Sequence, residues 1–333
     1  MTQQHRILVG DCIEMMRTLP DQSVHTCITS PPYFGLRDYG VDGQIGLEAS
    51  PREFIESLVA VFREVRRVLR DDGTLWVNLG DSYASGGRGG GGRYMAERGD
   101  GAWRGKGDAV GWRSAPAGWK HKDLLGLPWR LAIALQDEGW YLRQDIIWHK
   151  PNPMPESIKD RCTKAHEYLF LLSKSPRYYF DQDAIREPAR AQAAPESASR
   201  RNSFARETKY TDGEHGQTAQ HRTGRDDVDY DETRNKRSVW TVATASFKGA
   251  HFATFPPDLI RPCVLAGSPR GGMVLDPFGG AGTTSLVAMQ EGRQSVICEL
   301  NPEYAALARQ RLDTAWIEGA AQMDFLLDQS PAA

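Results

Sequence analysis

"MVLDPFGGAGTTSLVAMQEGRQSVICE", residues 273–299, is the stretch on which the fold reading turns. "MVLD" reads as a short apolar strand, "PFGGAGTT" as a glycine-rich turn and "TSLVAMQEG" as a helix. "SVICE" is the next strand and ends in Glu299; Asn301-Pro302 then caps a further helix. This is strand, glycine loop, helix, strand, with an acid closing the second strand. The glycines let backbone approach a ligand closely. A carboxylate at that place accepts hydrogen bonds from both hydroxyls of a ribose. A nucleoside-bearing cofactor is therefore expected at the carboxyl ends of these strands.

The loop lacks a Gly-Lys-Ser/Thr run, which argues against a triphosphate site. It also argues against NAD, because a pyrophosphate needs an unobstructed helix N-terminus. Phe278 instead sets a hydrophobic wall beside the turn, which suits the methionine part of S-adenosylmethionine.

Outward from this stretch, the 333 residues are 40% hydrophobic and 25% charged, enough for one large domain or two smaller ones. The net charge of −2 gives no global basic field, so any nucleic-acid contact needs a local basic surface. Five scattered cysteines, with no C-x-x-C pair, speak against disulfide and zinc readings, and no metal is expected. No signal peptide or membrane-spanning run is seen, so a reducing cytoplasm is the default expectation. "HRILVGD" (5–11) and "VHTCIT" (24–29) read as buried strands. Residues 50–73 read as a helix capped by Ser50, with Pro51 first, Glu53 completing a capping box and Gly73 ending it. A strand at 74–81, a helix around 123–138, strands at 141–150 and 166–174, and a helix from 255 to 267 follow. Between them, 85–122 is Gly-rich and basic and reads as a mobile loop. Residues from about 186 to 237 are charge-dense and poor in aliphatics, as in an insertion.

The second informative stretch is "TCITSPPYFGLRDYG" (26–40). An apolar run stops at Ser30-Pro31-Pro32, and an aromatic pair, Tyr33 and Phe34, follows. Two prolines fix two φ angles, and each pushes the residue before it toward extended backbone. Such a stiff corner ends a strand and holds the next side chains still.

Together, "TSPPY" and "DPFGGAGTT" resemble the amino-methyltransferases of DNA, which carry S/D/N-P-P-Y/F/W at the active site and F-x-G-x-G at the cofactor site. The catalytic motif comes first here, which resembles the β-class permutation with target recognition between the motifs. The resemblance covers roughly 5–180 and 238–315. It implies an α/β fold: a Rossmann-like S-adenosylmethionine-dependent methyltransferase sheet, circularly permuted, with an inserted target-recognition region. The corresponding division is a catalytic half at 1–180, an insertion at 181–240, a cofactor-binding half at 241–316 and a tail at 317–333. The strands ending at Asp276, Glu299, Asp11 and Thr29 are expected side by side at one edge of a single sheet.

By the same resemblance, Phe278, Gly280 and Gly282, preceded by Asp276, form the cofactor loop. Glu299 takes the ribose, with Asn301 following it. Asp11 contacts the adenine amino group, or is only a turn residue. Phe255 and Pro256 line the methionine pocket, unless Phe255 is ordinary core. Thr283 and Thr284 donate to the cofactor carboxylate, or Thr283 caps its helix. Ser30, Pro31, Pro32 and Tyr33 are the catalytic set. An exocyclic amine is a poor nucleophile because its lone pair is delocalised into the ring. Ser30 Oγ and the Pro31 carbonyl, held still, would accept its N–H bonds and aim the lone pair at the methyl. Tyr33, with Phe34, would stack on a base flipped from the duplex. Lys150 and Asn152 in "WHKPNPMPESIKDR" (148–161), and Arg88 and Arg93 in the Gly-rich loop, are candidate contacts to DNA.

The implied function is methyl transfer from S-adenosyl-L-methionine to an exocyclic amine in double-stranded DNA. A serine at position 30 favours cytosine N4, since a hydroxyl both accepts and donates whereas an aspartate only accepts. The alternatives are adenine N6, an RNA or protein amide substrate, or a non-catalytic DNA-binding relative. C5-cytosine chemistry is rejected, because Pro262-Cys263 falls inside an apparent amphipathic helix. The resemblance is compatible with a homodimer, with a cognate restriction endonuclease, and with a bacterial or phage-encoded origin.

Overall fold

The computed structural model describes residues 4–35, 41–84, 95–97, 103–105, 118–188, 233–244 and 255–328, with backbone alone for 95–97, 103–105 and 318–328. Fourteen strands appear among them: β1 (His5–Val9), β2 (Val24–Thr29), β3 (Leu69–Leu79), β4 (Tyr83–Ala84), β5 (Met95–Glu97), β6 (Trp103–Gly105), β7 (Asp123–Leu124), β8 (Tyr141–His149), β9 (His166–Ser173), β10 (Glu187–Pro188), β11 (Thr233–Arg234), β12 (Val239–Thr241), β13 (Met273–Asp276) and β14 (Gln294–Glu299). The helices are α1 (Cys12–Arg17), α2 (Pro51–Val68), α3 (Leu127–Asp137), α4 (Pro257–Gly267), α5 (Thr283–Gln290) and α6 (Pro302–Asp328). No helix among the described residues is long and apolar enough to cross a membrane.

Eight strands form one sheet in the order β1-β14-β13-β2-β3-β9-β8-β12. Every pairing is parallel except the two made by β9, which runs against β3 and β8. The strands that end at Asp11, Glu299, Asp276 and Thr29 are thus consecutive at one edge, as expected. The pairing β13–β2, with Leu275 opposite Cys27, joins the two halves of the permuted chain. From that seam the crossovers run outward in opposite directions, β2 to β3 on one side and β13 to β14 on the other. In open α/β sheets such a reversal of strand order leaves a crevice beyond the carboxyl ends of the strands, where ligands sit.

Helix α2 shows how the local signals act. Ser50 Oγ accepts from the Glu53 N–H at 3.2 Å, and the Glu53 carboxylate reaches back to the Ala49 N–H at 3.1 Å. Phe54, Leu58, Val61, Phe62, Val65 and Val68 are fully buried along one face. Each such side chain contributes roughly 1.5–3 kcal/mol. The helix stops at Val68, five residues before Gly73, because Leu69 turns to extended backbone and pairs opposite Val24 in the sheet. Tertiary burial of Leu69 overrides a sequence pattern that continues as helix. Likewise β7 replaces the expected start of the helix at 123, and α6 extends to Asp328 where a tail was expected.

Contacts divide the chain into a large unit, residues 1–184 with 237–333, and a small unit, 185–236. In the small unit β10 and β11 pair antiparallel, and Arg234 meets Glu187 at 2.9 Å. Arg88, Arg93, most of 85–122 and most of the charged insertion lie outside the described residues.

Candidate active site

The seam positions two loops. After β2 the chain enters Ser30-Pro31-Pro32-Tyr33; after β13 it enters Pro277-Phe278-Gly279-Gly280. Both line one cavity of about 900 Å³ at the carboxyl ends of the strands, together with Asp11, Phe255, Glu299 and Asn301.

Asp276 ties the loops together. It is fully buried, and it accepts from Thr29 Oγ1 at 2.6 Å, Thr284 Oγ1 at 2.6 Å and the Phe278 N–H at 3.0 Å. Burial raises its pKa, and these three donors oppose that shift. Asp276 does not line the cavity, so its place is behind the loop, holding catalytic and cofactor strands in register. Thr284 is committed to Asp276. Gly282, not Thr283, occupies the N-cap position of α5, with a left-handed φ of 76°. A Cβ on Gly282 would sit 2.9 Å from that of Ala308, so this glycine exists for helix packing. Thr283 is buried and accepts from Arg311. Pro256 is buried at the start of α4, and only its neighbour Phe255 reaches the cavity.

The remaining cofactor-side residues face the cavity. Glu299 accepts the Gly280 N–H at 2.7 Å through one oxygen and the Asn301 N–H at 2.8 Å through the other. Each oxygen keeps a further lone pair for a ligand hydroxyl. Burial holds the Glu299 pKa above the ordinary carboxylate value. Asp11 caps α1, accepting from the Ile13 and Glu14 N–H groups through Oδ1, and lines the cavity as well. Asn301 caps α6 through the Glu303 N–H at 2.8 Å. Cys12 and Cys298 also line the wall; burial pushes the Cys12 thiol up to about 12 and raises Cys298 further. Two carboxylates and two phenylalanine walls fit a cationic nucleoside bearing a thioether-like chain. The donor set fits S-adenosylmethionine.

On the other side, Tyr33 is clamped. Its hydroxyl donates to Glu167 Oε2 at 2.8 Å, and its ring lies so close to Gly80 that a Cβ there would meet Cε2 at 2.8 Å. Phe34 does not reach the cavity: it is buried, its ring 5.4 Å from that of Phe54. Lys150 is also placed differently from expectation. It ion-pairs with Glu167 inside the cavity and lies 4.3 Å over the Trp148 ring, so its charge is spent within the protein. Asn152 lines the cavity mouth, and its amide exchanges hydrogen bonds with the Thr244 backbone at 3.0 and 3.3 Å.

Three site residues escaped the sequence reading: Asn78, Lys164 and Glu167. Glu167 opens an otherwise apolar strand, "HEYLFLLS", and that lone acid was the available signal. It reaches the site because β9 is antiparallel, which carries its first residues to the end where β3 finishes. Burial lowers the Lys164 pKa, with Lys150 and Arg161 adding to the effect.

Sheet and site together define a Rossmann-like methyltransferase that holds a nucleoside cofactor against a rigid acceptor corner. The chain belongs to the DNA methylase family, whose model matches residues 24–310. It is 48% identical over 310 residues to the type II methyltransferase M.Cfr9I of Citrobacter freundii, covering 91% of this chain and 86% of that one. It is 49% identical over 304 residues to M.XycI of Xanthomonas campestris pv. cyanopsidis, with the same coverage. Among solved structures, the PvuII DNA methyltransferase (cytosine-N4-specific) matches with a TM-score of 0.58 at 20% identity, over 92% of this chain and 86% of that chain. A DNA modification methylase of Thermus thermophilus, TTHA0409, solved with S-adenosyl-L-methionine, matches with a TM-score of 0.54 at 25% identity, over 93% and 95%. The protein is a DNA amino-methyltransferase, and S-adenosyl-L-methionine is its cofactor.

Proposed function

We propose that the protein methylates the N4 amino group of a cytosine flipped out of double-stranded DNA. The observation that carries this reading is that Ser30 and Pro31 share one cavity with Phe278, Gly280 and Glu299. When bound, S-adenosyl-L-methionine supplies an electrophilic methyl group. Glu299 would hold its ribose, Asp11 its adenine, and Phe255 and Phe278 its apolar chain. The protein's own work is on the acceptor. The Pro31 carbonyl and Ser30 Oγ accept the amine hydrogens, which turns the nitrogen lone pair toward the methyl. The nitrogen gains a bond to carbon and sheds one proton. Pro31 and Pro32 remove backbone freedom from both acceptors, so orientation is built in before substrate arrives. Serine rather than aspartate at position 30 supports cytosine over adenine, because its hydroxyl adapts to either polarity.

The test is transfer of labelled methyl from the cofactor to duplex DNA, followed by digestion to nucleosides and mass spectrometry. N4-methylcytosine is expected. N6-methyladenine would overturn the base assignment, and label confined to RNA or protein would overturn the substrate.

A further inference from the structure

Glu167 lies outside both sequence motifs. Its side chain is only 13% exposed in the cavity wall, and its oxygens receive the Tyr33 hydroxyl at 2.8 Å, Asn78 Nδ2 at 3.3 Å and the Lys150 ammonium. A carboxylate can only accept hydrogen bonds. The Tyr33 hydrogen must therefore point at Glu167, away from the Ser30 side. The lone pairs of that phenolic oxygen are left for its other two neighbours, the Ser30 side chain and the Gly80 N–H. Facing an acceptor, Ser30 has to donate, and its own lone pairs are then free for the cavity it lines. One anion thus sets the direction of each hydrogen along Ser30, Tyr33 and Glu167.

We propose that Glu167, paired with Lys150, is a positioning residue for methyl transfer: acting through Tyr33, it presents Ser30 Oγ to the substrate amine as an acceptor. This rests on the DNA amino-methyltransferase reading above. Without the anion the chain of hydrogen bonds can run in reverse. Ser30 then points its hydrogen at the amine N–H, and donor faces donor. Tyr33 is the link rather than a freely stacking ring, since Gly80 and Glu167 hold it at two points.

The experiment compares wild type, Glu167→Gln, Tyr33→Phe and the double variant. Single-turnover methyl transfer to duplex DNA is measured beside DNA affinity by fluorescence anisotropy and cofactor affinity by calorimetry. Each single variant is expected to slow transfer about 100-fold, the order found when one oriented polar group is lost. Both dissociation constants should stay within about threefold, as uniform binding is untouched. The double variant should be no more than about threefold slower than the slower single, because both substitutions cut one chain. Transfer within about threefold of wild type in either single variant overturns the proposal. So does multiplication of the two losses, or a loss carried by DNA affinity. Tyr33→Phe decides alone where Glu167→Gln fails to fold, since its ring contact with Gly80 is kept. A wild-type protein that labels no DNA counts instead against the proposed function, before any variant is made.

Discussion

Gly279 occupies a position that the F-x-G-x-G pattern leaves open, yet the structure leaves no room for a side chain there. A Cβ on Gly279 would lie 2.8 Å from Ile297 Cβ, 2.9 Å from Cδ1 and 3.0 Å from Cγ1. Its φ is not in the left-handed region, so the obstacle is steric alone. The turn sits this close because the Gly279 N–H donates to the Cys298 carbonyl at 2.8 Å and the next N–H, of Gly280, reaches Glu299 at 2.7 Å. Gly279→Ala must lift the turn off β14 or push Ile297 into its neighbours. Overpacking of this kind costs about 1–3 kcal/mol. Lifting the turn also stretches the bond to Glu299, a charge-assisted contact that contributes roughly 1.5–3 kcal/mol. If about 1.4 kcal/mol of the strain falls on the cofactor-bound geometry, affinity drops about tenfold. Calorimetric titration with S-adenosyl-L-methionine, run beside a thermal melt, reads both effects. A higher dissociation constant together with a melting temperature lowered by several degrees is expected. An alanine variant that melts like wild type and binds the cofactor equally well refutes the close-approach argument.

Other outcomes follow from the same geometry. Thr284→Val keeps the shape but leaves one oxygen of buried Asp276 without its donor, which should cost about 1–3 kcal/mol, seen as a lower urea midpoint. Glu299 has its folded pKa raised by burial, so its contribution to stability is full below the unfolded carboxylate value of about 4.3 and is lost as pH rises through the folded value. The stability of Glu299→Gln relative to wild type should therefore climb from about pH 4 upward, whatever its constant offset; a difference that falls with pH would contradict this. Cys162 is exposed whereas Cys12, Cys27, Cys263 and Cys298 are buried, so a thiol reagent should label one equivalent in the native protein and five after denaturation. Rapid labelling of Cys12 or Cys298 would mean that the cavity wall opens.

How far the site was legible in the sequence depends on how local its causes are. Ser30-Pro31-Pro32 reads directly, because proline acts on its own φ and on the residue before it. Glu299 and Asn301 read through a strand end and a helix cap, both short-range signals. Asp276, Thr284 and Gly282 were drawn in by the motif, but their side chains serve the packing behind the loop, which only three-dimensional contacts reveal. Lys150 looked like a surface cation because its partner, Glu167, is 17 positions away on another strand.

The amino-acid order alone determined the sheet edge, the glycine turn and the proline corner, since each follows from hydrophobic period and backbone restriction within a few residues. Only the tertiary structure decided where α2 ends, what clamps Tyr33 and why Gly279 must be glycine. Those answers depend on strands brought together across gaps in sequence: β13 against β2, and the reversed β9 beside β3. No local pattern encodes which partner a buried side chain will meet. The packed sheet supplies that partner, and with it the direction of each hydrogen bond at the site.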